Sequence, residues 1–87
     1  MHSLVFGGRF LNSAKKLEEK LKLRLKKNLD SLSDNPFHLY LHTKPLTGEL
    51  RGLYSFRLGR DFRVIFKFLD NKEIHLIDIT HRKDIYR

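Results

Sequence analysis

The chain has 87 residues, 40% of them apolar, which suits one folded domain over residues 1–87 and is too apolar for a disordered chain. A net charge of +8 indicates an anionic partner, most often nucleic acid, although a solubilising lysine-rich surface or an acidic protein partner would explain it equally well. The absence of Cys excludes disulfides and thiolate chemistry, and no apolar run is long enough to span a bilayer. The first residues are too short for a signal peptide, so we expect a cytoplasmic protein without membrane contact.

The chain begins with a predicted strand over residues 4–6, which Gly7 and Gly8 end. Leucines, Phe10 and Ala14 then recur at helical spacing, and no Gly or Pro interrupts residues 9–32. Local rules therefore predict one helix of about 24 residues, roughly 36 Å long. The chain could fold back near residues 17–19, but the sequence does not force it. The lysine-rich face of this helix is best interpreted as solvated.

Residues 33–36, Ser-Asp-Asn-Pro, end the helical pattern, and residues 37–49 show no regular pattern. Two predicted strands follow within residues 52–67, joined by a tight turn at 59–61. A third strand is predicted at 74–80 because this stretch is rich in β-branched residues. The last residues, 81–87, could form a helical turn. The first strand should pair beside the last or penultimate one, since an isolated short strand is unstable.

The hairpin alternates between apolar and basic residues, so its two faces differ. One face should enter the core, together with Ile77 and Ile79 of the third strand. Its hairpin members are Tyr54, Phe56, Leu58, Phe62, Val64, Phe66 and Phe68. The opposite face should carry four cations, namely Arg57, Arg63, Lys67 and Arg82. A polar face that meets water is the ordinary explanation. Because Asp78 alone accompanies four cations there, we favour a phosphate-binding surface instead.

No motif of high specificity for catalysis or cofactors is present: the chain lacks a P-loop, a glycine-rich dinucleotide loop and HExxH. Its five histidines lack metal-ligand spacing, so we expect no metal. Cleavage of RNA would need a base for the 2′-hydroxyl, stabilisation of phosphate charge, and an acid for the leaving oxygen. Arginine stabilises charge but is a poor base. The candidates for proton transfer are Lys44, Asp61, Asp78, His81 and His42.

Three stretches, residues 46–54, 63–66 and 79–87, resemble in order and spacing the RelE/ParE superfamily of type II toxins, and more closely the RelE-type mRNA interferases. The resemblance covers nearly the whole chain. It implies an α+β fold in which an opening strand and an α-hairpin pack on an antiparallel sheet of about four strands. It would thus break the single long helix near residues 17–19. It also implies a ribosome-dependent endoribonuclease that cuts mRNA in the A site without metal or cofactor, inhibits translation and is neutralised by a cognate antitoxin.

Several roles follow from the resemblance, residue by residue. Arg63 matches the strand arginine that contacts the scissile phosphate, and Arg57 sits where RelE has a catalytic strand lysine. Arg82 matches a late arginine assigned to the leaving group, and Tyr86 a late aromatic residue that stacks on the substrate base. Further substrate contacts are expected from two other hairpin cations, Arg60 and Lys67.

The resemblance identifies the proton-transfer group less clearly than it identifies the arginines. Lys44 falls where YoeB-like and YafQ-like relatives place a glutamate or histidine, and Asp61 resembles a YafQ-like aspartate. Ser55 replaces a RelE strand lysine, and Thr47 replaces an arginine near the loop glycine. The general base therefore stays open among Lys44, Asp61 and His81.

Two other functions stay open. A ParE-like protein would inhibit DNA gyrase by binding it, and a catalytically weak homologue would bind only its antitoxin. ParE-type chains typically lack the arginine and terminal aromatic pair, so Arg63, Arg82 and Tyr86 favour the nuclease.

Overall fold

A computed structural model describes residues 1–85, which form one five-stranded sheet with helices packed on one face. The strands are β1 (Ser3–Phe6), β2 (Lys44–Pro45), β3 (Tyr54–Leu58), β4 (Phe62–Phe68) and β5 (Glu73–His81). The helices are α1 (Gly8–Lys15), α2 (Glu19–Asp34) and α3 (Arg82–Ile85), with 3₁₀ turns at Leu39–Leu41 and Gly48–Leu50. The strand order is β1-β5-β4-β3-β2. The predicted α+β class is confirmed, and the strand count is five because Lys44–Pro45 pairs with β3.

The first strand pairs with the last one, as predicted. β1 runs parallel to β5 with Leu4 opposite Ile74, while β3, β4 and β5 form an antiparallel meander. Parallel neighbours need a crossover, and α1 and α2 lie within the connection that follows β1. The meander therefore brings the predicted hairpin to the middle of the sheet.

The single helix expected over residues 9–32 is wrong, and the α-hairpin implied by the family resemblance is confirmed. α1 ends at Lys15, and Glu18 has an extended backbone with ψ 158° before α2 begins. A straight helix of roughly 36 Å would exceed the longest dimension of the domain, 32 Å, so folding back keeps both halves on the sheet. α2 ends at Asp34, as the following Asn-Pro predicts. Within residues 1–85, no helix is long and apolar enough to cross a membrane.

The predicted apolar face of the hairpin forms the main core. Phe56, Leu58, Val64 and Phe66 are fully buried there. Phe10 of α1 and three leucines of α2, namely Leu21, Leu25 and Leu32, pack over this face. The ring of Phe66 lies 5.7–6.0 Å from three other rings, those of Tyr54, Phe56 and Phe68. Such ring pairs stabilise beyond their buried area, which makes this cluster the rigid floor beneath the opposite face.

The opposite sheet face is not uniformly polar, and the expected inward position of Ile77 is wrong. Phe66 pairs with Leu76 but Ile65 pairs with Asp78, so β5 carries one extra residue, Ile77, in a bulge. Ile77 instead packs on the far side of the sheet with Ile65. The leucines of the β2–β3 connection complete this second cluster, namely Leu46, Leu50 and Leu53. This connection covers one half of the face and leaves the other half to the cations.

Gly7 links β1 to α1 at a place with no room for a side chain. A Cβ there would lie 2.8 Å from the carbonyl oxygen of Leu76 and 3.0 Å from Nε2 of His75, whereas a Cβ on Gly8 would meet nothing within 4 Å. We expect Gly7→Ala to lower the free energy of unfolding by about 1–3 kcal/mol, because backbone must move. Gly8→Ala should raise it by about 0.4–1 kcal/mol, because the unfolded chain loses freedom.

Denaturant unfolding of the two glycine variants checks this pair. Equal stabilities would contradict the close approach of β1 and β5 at Gly7, since the two substitutions add the same methyl group to adjacent residues.

Candidate nucleic-acid interface

Two arginines face each other on the sheet surface that α1 and α2 leave uncovered. Arg57 of β3 is the direct cross-strand partner of Arg63 of β4, which in turn lies opposite Thr80 of β5. Arg57 is exposed, whereas Arg63 is half-buried and donates from Nη1 to the carbonyl oxygen of Phe62 at 3.1 Å. The structure thus brings together the first two predicted site residues, as strand alternation predicts.

Lys44 adds a third cation to this face. It lies on the short strand β2, directly opposite Ser55, so Arg57 is its diagonal neighbour. Diagonal neighbours in antiparallel sheets are about 7–8 Å apart, within reach of long side chains. Since Lys44 is exposed, its amine can approach a group bound between the two arginines. We call Lys44, Arg57 and Arg63 the cationic triad.

Asp61, Arg60 and Arg82 lie together at one end of the same strands. Arg60 and Asp61 form the turn between β3 and β4, where Gly59 has φ +62°. The backbone N–H of Arg82, at the start of α3, donates to the carbonyl oxygen of Asp61 at 2.8 Å. All three side chains are exposed. Asp61 lies two residues before Arg63 on the chain, roughly 7 Å along a strand, so it borders the cationic triad.

Two predicted residues are not brought to the triad. His81 pairs with Phe62, and the two rings lie 5.7 Å apart, so His81 belongs to the helix-covered side. Its Nδ1 accepts from the backbone N–H of Lys83 at 3.2 Å. Lys67 lies four residues beyond Arg63, roughly 13 Å along the strand, and opposite His75.

The other predicted site residues are Tyr86, Asp78 and His42. Tyr86 lies outside the described residues. The carboxylate of Asp78 accepts from the hydroxyl of Ser13 at 2.8 Å and lies 4.0 Å from Nε of Arg9, so it ties β5 to α1. His42 ends the first 3₁₀ turn with φ 53°, and it lies beside the free edge of β3.

Two hydroxyl groups beside the arginines were not singled out as site residues from the sequence. Ser55 is 1% exposed and lies two residues from Arg57, while Thr80 lies opposite Arg63. Within residues 1–85, neither hydroxyl oxygen has a hydrogen-bond partner. Buried polar atoms normally have one, so these two hydroxyls are unsatisfied groups beside the arginine pair. The register of both residues relative to the arginines was the available signal.

The chemistry of this surface is charge stabilisation. Guanidinium groups suit phosphate because they donate two parallel hydrogen bonds. Among residues 1–85, no group of three or more His, Asp or Glu side chains is placed to hold a metal ion. The surface therefore offers cations from fixed strands, and two of the residues predicted for proton transfer, Lys44 and Asp61, lie beside them.

Comparisons with known proteins identify the family and the fold of the chain. The model of the family described as "ParE toxin of type II toxin-antitoxin system, parDE" matches residues 6–86. No curated protein sequence matches the chain.

Three solved structures illustrate the shared fold. YafQ from E. coli strain BL21(DE3) superposes with a TM-score of 0.79 at 18% identity, covering 100% of both chains. The archaeal RelE–RelB complex from Pyrococcus horikoshii OT3 gives 0.79 at 23% identity, covering 95% of this chain and 97% of that chain. The toxin–antitoxin complex RelBE2 from Mycobacterium tuberculosis gives 0.75 at 24% identity, covering 93% and 98%. At these identities the likeness concerns the fold.

Proposed function

Because the chain belongs to the ParE toxin family of type II toxin–antitoxin systems, within the RelE/ParE superfamily, we propose that it is a ribosome-dependent endoribonuclease that cuts mRNA in the A site. The observation that carries the proposal is the pairing of Arg57 with Arg63 on the uncovered sheet face. Two guanidiniums on adjacent strands of one sheet face can both donate to the oxygens of one RNA phosphate.

In the proposed reaction the 2′-oxygen of one nucleotide attacks the adjacent phosphorus. The new bond joins the 2′-oxygen to phosphorus, and the bond from phosphorus to the 5′-oxygen breaks. Arg57 and Arg63 hold the non-bridging oxygens, where charge develops in the transition state. Lys44 takes the 2′-hydroxyl proton when its amine is neutral, and Arg82 donates a hydrogen bond to the leaving 5′-oxygen. A proton from water completes the leaving alcohol.

Geometry ranks the proton-transfer candidates in this proposal. Lys44 lies on the same face as the two arginines and is a diagonal neighbour of Arg57. Asp61 borders the site from the turn, and His81 packs against Phe62 on the other side of the sheet. We therefore assign proton transfer to Lys44 and take Asp61 as its rival.

The proposed partners are a cognate antitoxin, the ribosome and mRNA. The RelBE2 structure and the archaeal RelE–RelB structure are complexes of a toxin with its antitoxin, which supports an antitoxin partner for this chain. The net charge of +8 suits both an acidic antitoxin segment and RNA. Translated mRNA as the substrate places the activity in the cytoplasm.

The test is in vitro translation of a defined mRNA with the purified toxin, followed by primer extension. We expect new 3′ ends at fixed positions within codons, in reactions with translating ribosomes, and intact mRNA when ribosomes are left out. Cuts that do not depend on translation would contradict ribosome dependence.

Inhibition of DNA gyrase is the second candidate, and the ParE name of the matching family favours it. The same preparation is therefore added to a gyrase supercoiling assay. Blocked supercoiling with intact mRNA would replace the nuclease by the gyrase inhibitor. Intact mRNA with normal supercoiling would leave a catalytically weak homologue that binds its antitoxin.

A further inference from the structure

A cavity of about 170 Å³ lies between α2, the first 3₁₀ turn and the edge of β3. Among the described residues 1–85, β2 pairs only with Tyr54 and Ser55, so β3 beyond Ser55 has no strand partner there on this side. Asn28 of α2 reaches that edge and donates from Nδ2 to the carbonyl oxygen of Arg57 at 3.3 Å. The cavity beside this contact, here called the Asn28 cavity, is lined by Arg24, Asn28, Tyr40, His42, Arg57 and Gly59.

The Asn28 cavity is positively charged. Arg24 of α2 and Arg57 of β3 both line it, and none of the lining residues is acidic. Within the described part of the chain, neither guanidinium forms a salt bridge. Two arginines that line one cavity without a carboxylate partner suit an oxyanion, and a phosphate group above all. The lysine-rich face of α2, interpreted from sequence as merely solvated, thus supplies one arginine to a shaped site.

The buried side chain of Asn28 indicates that the ligand carries a hydrogen-bond donor as well as negative charge. Its side chain is held at the strand edge, the residue is 3% exposed, and its Oδ1 has no hydrogen-bond partner among residues 1–85. A buried amide oxygen needs a donor, which a free phosphate dianion does not offer. A ribose 2′-hydroxyl is such a donor. Tyr40 is half-exposed at the rim, where a base could stack on its ring.

The backbone at the cavity wall is also unusual. His42 has φ 53° and ψ 44°, the left-handed conformation that residues with a Cβ seldom adopt. Such conformations cluster at binding sites, because surrounding structure must hold them in place. The cavity is smaller than the roughly 300–1,000 Å³ of sites for drug-sized ligands, so it suits one part of a longer chain.

We propose that the Asn28 cavity binds one nucleotide of the RNA chain, next to the scissile phosphate. Its phosphate lies between Arg24 and Arg57, its 2′-hydroxyl donates to Oδ1 of Asn28, and its base stacks on Tyr40. Arg57 lines this cavity and also faces Arg63, so it connects the two phosphate positions. The inference rests on the proposed function, because it takes RNA as the ligand. It adds a second binding position, which lies between α2 and the edge of β3 instead of on the sheet face.

The test follows the side-chain N–H signals of Asn28 and Arg24 by NMR while the isolated toxin is titrated with a short single-stranded RNA. We expect both signals to shift, and the DNA of the same sequence to bind about fivefold more weakly because it lacks the hydroxyl. Arg24→Ala should weaken RNA binding about tenfold or more. The matched control Lys26→Ala removes one charge from the same helix, outside the cavity, and should change affinity less than twofold.

RNA that shifts signals of the cationic triad but leaves those of Asn28 and Arg24 unchanged would overturn the subsite. So would an acidic peptide that shifts Asn28 where RNA does not, because the cavity would then bind protein. The experiment distinguishes failure of the subsite from failure of the proposed function. Asn28 shifts without mRNA cleavage retain the subsite and refute the nuclease, whereas cleavage that is equal in wild type and Arg24→Ala retains the nuclease and refutes the subsite.

Discussion

Replacing Arg63 by alanine is expected to lower single-turnover cleavage of translated mRNA by about 10²–10³-fold. Arg63 lies on the central strand β4, and its Nη1 donates a hydrogen bond to the carbonyl oxygen of Phe62. The position of its charge is therefore fixed before substrate binds. Such a preorganised donor stabilises the charge that develops on the phosphate without reorganising during the reaction. Arg57→Ala should act in the same direction, because the two guanidiniums share one anion in the proposed complex.

The fold should survive the loss of Arg63. Arg63 is only half-buried, and a hydrogen bond is worth about 1 kcal/mol net, so we expect the free energy of unfolding to fall by no more than about 1–2 kcal/mol. Urea unfolding measures this directly.

Arg9→Ala is the matched control for the loss of one positive charge. Arg9 lies on α1, 79% exposed, in a 4.0 Å ion pair with Asp78, and such surface pairs contribute little. Its cleavage rate should stay within about twofold of wild type. A folded Arg63→Ala variant that cuts as fast as the Arg9→Ala control would remove the cationic triad from the mechanism.

The sequence predicts the elements of this fold better than their packing. The strand boundaries of the hairpin follow from alternation, and the stop at Asn35-Pro36 follows from local backbone rules. The break between α1 and α2 does not, because residues 9–32 contain no helix-breaking residue. It is imposed by the size of the sheet, whose helices must fold back to cover one apolar face. Only the family resemblance supplied that break.

For the site as well, local sequence patterns predict some features and miss those that depend on strand register or long-range packing. Arg57 and Arg63 could be placed on one face because a short turn fixes the hairpin register. The bulge at Ile77 could not be predicted, since an extra residue leaves no mark in an apolar strand, and it changes which β5 side chains share a face. The position of His81 depends on that register. The Asn28 cavity joins α2 to β3 across 29 residues of sequence, a contact that no local pattern encodes.

Replacing Lys44 by alanine is expected to lower single-turnover cleavage by about 10²–10⁴-fold, the usual contribution of a positioned proton-transfer group. The same loss could arise if Lys44 merely contributed charge, so Lys44→Arg separates the two roles. Arginine keeps the cation at the same strand position but cannot give up its proton in a protein. Proton transfer by Lys44 therefore predicts that Lys44→Arg stays as slow as Lys44→Ala, and that added ethylamine restores part of the activity of Lys44→Ala.

Asp61 is the rival candidate for proton transfer, because it borders the cationic triad from the β3–β4 turn. Asp61→Asn keeps the size of the side chain and the backbone contact to Arg82 while removing a possible base. Under the Lys44 assignment it should cut within about tenfold of wild type, and amine should not alter its rate. Recovery of full activity by Lys44→Arg, together with a loss beyond about 10² in Asp61→Asn, would move the base to Asp61. Lys44 would then join Arg57 and Arg63 in stabilising charge, and the sheet face would contribute only cations to the reaction.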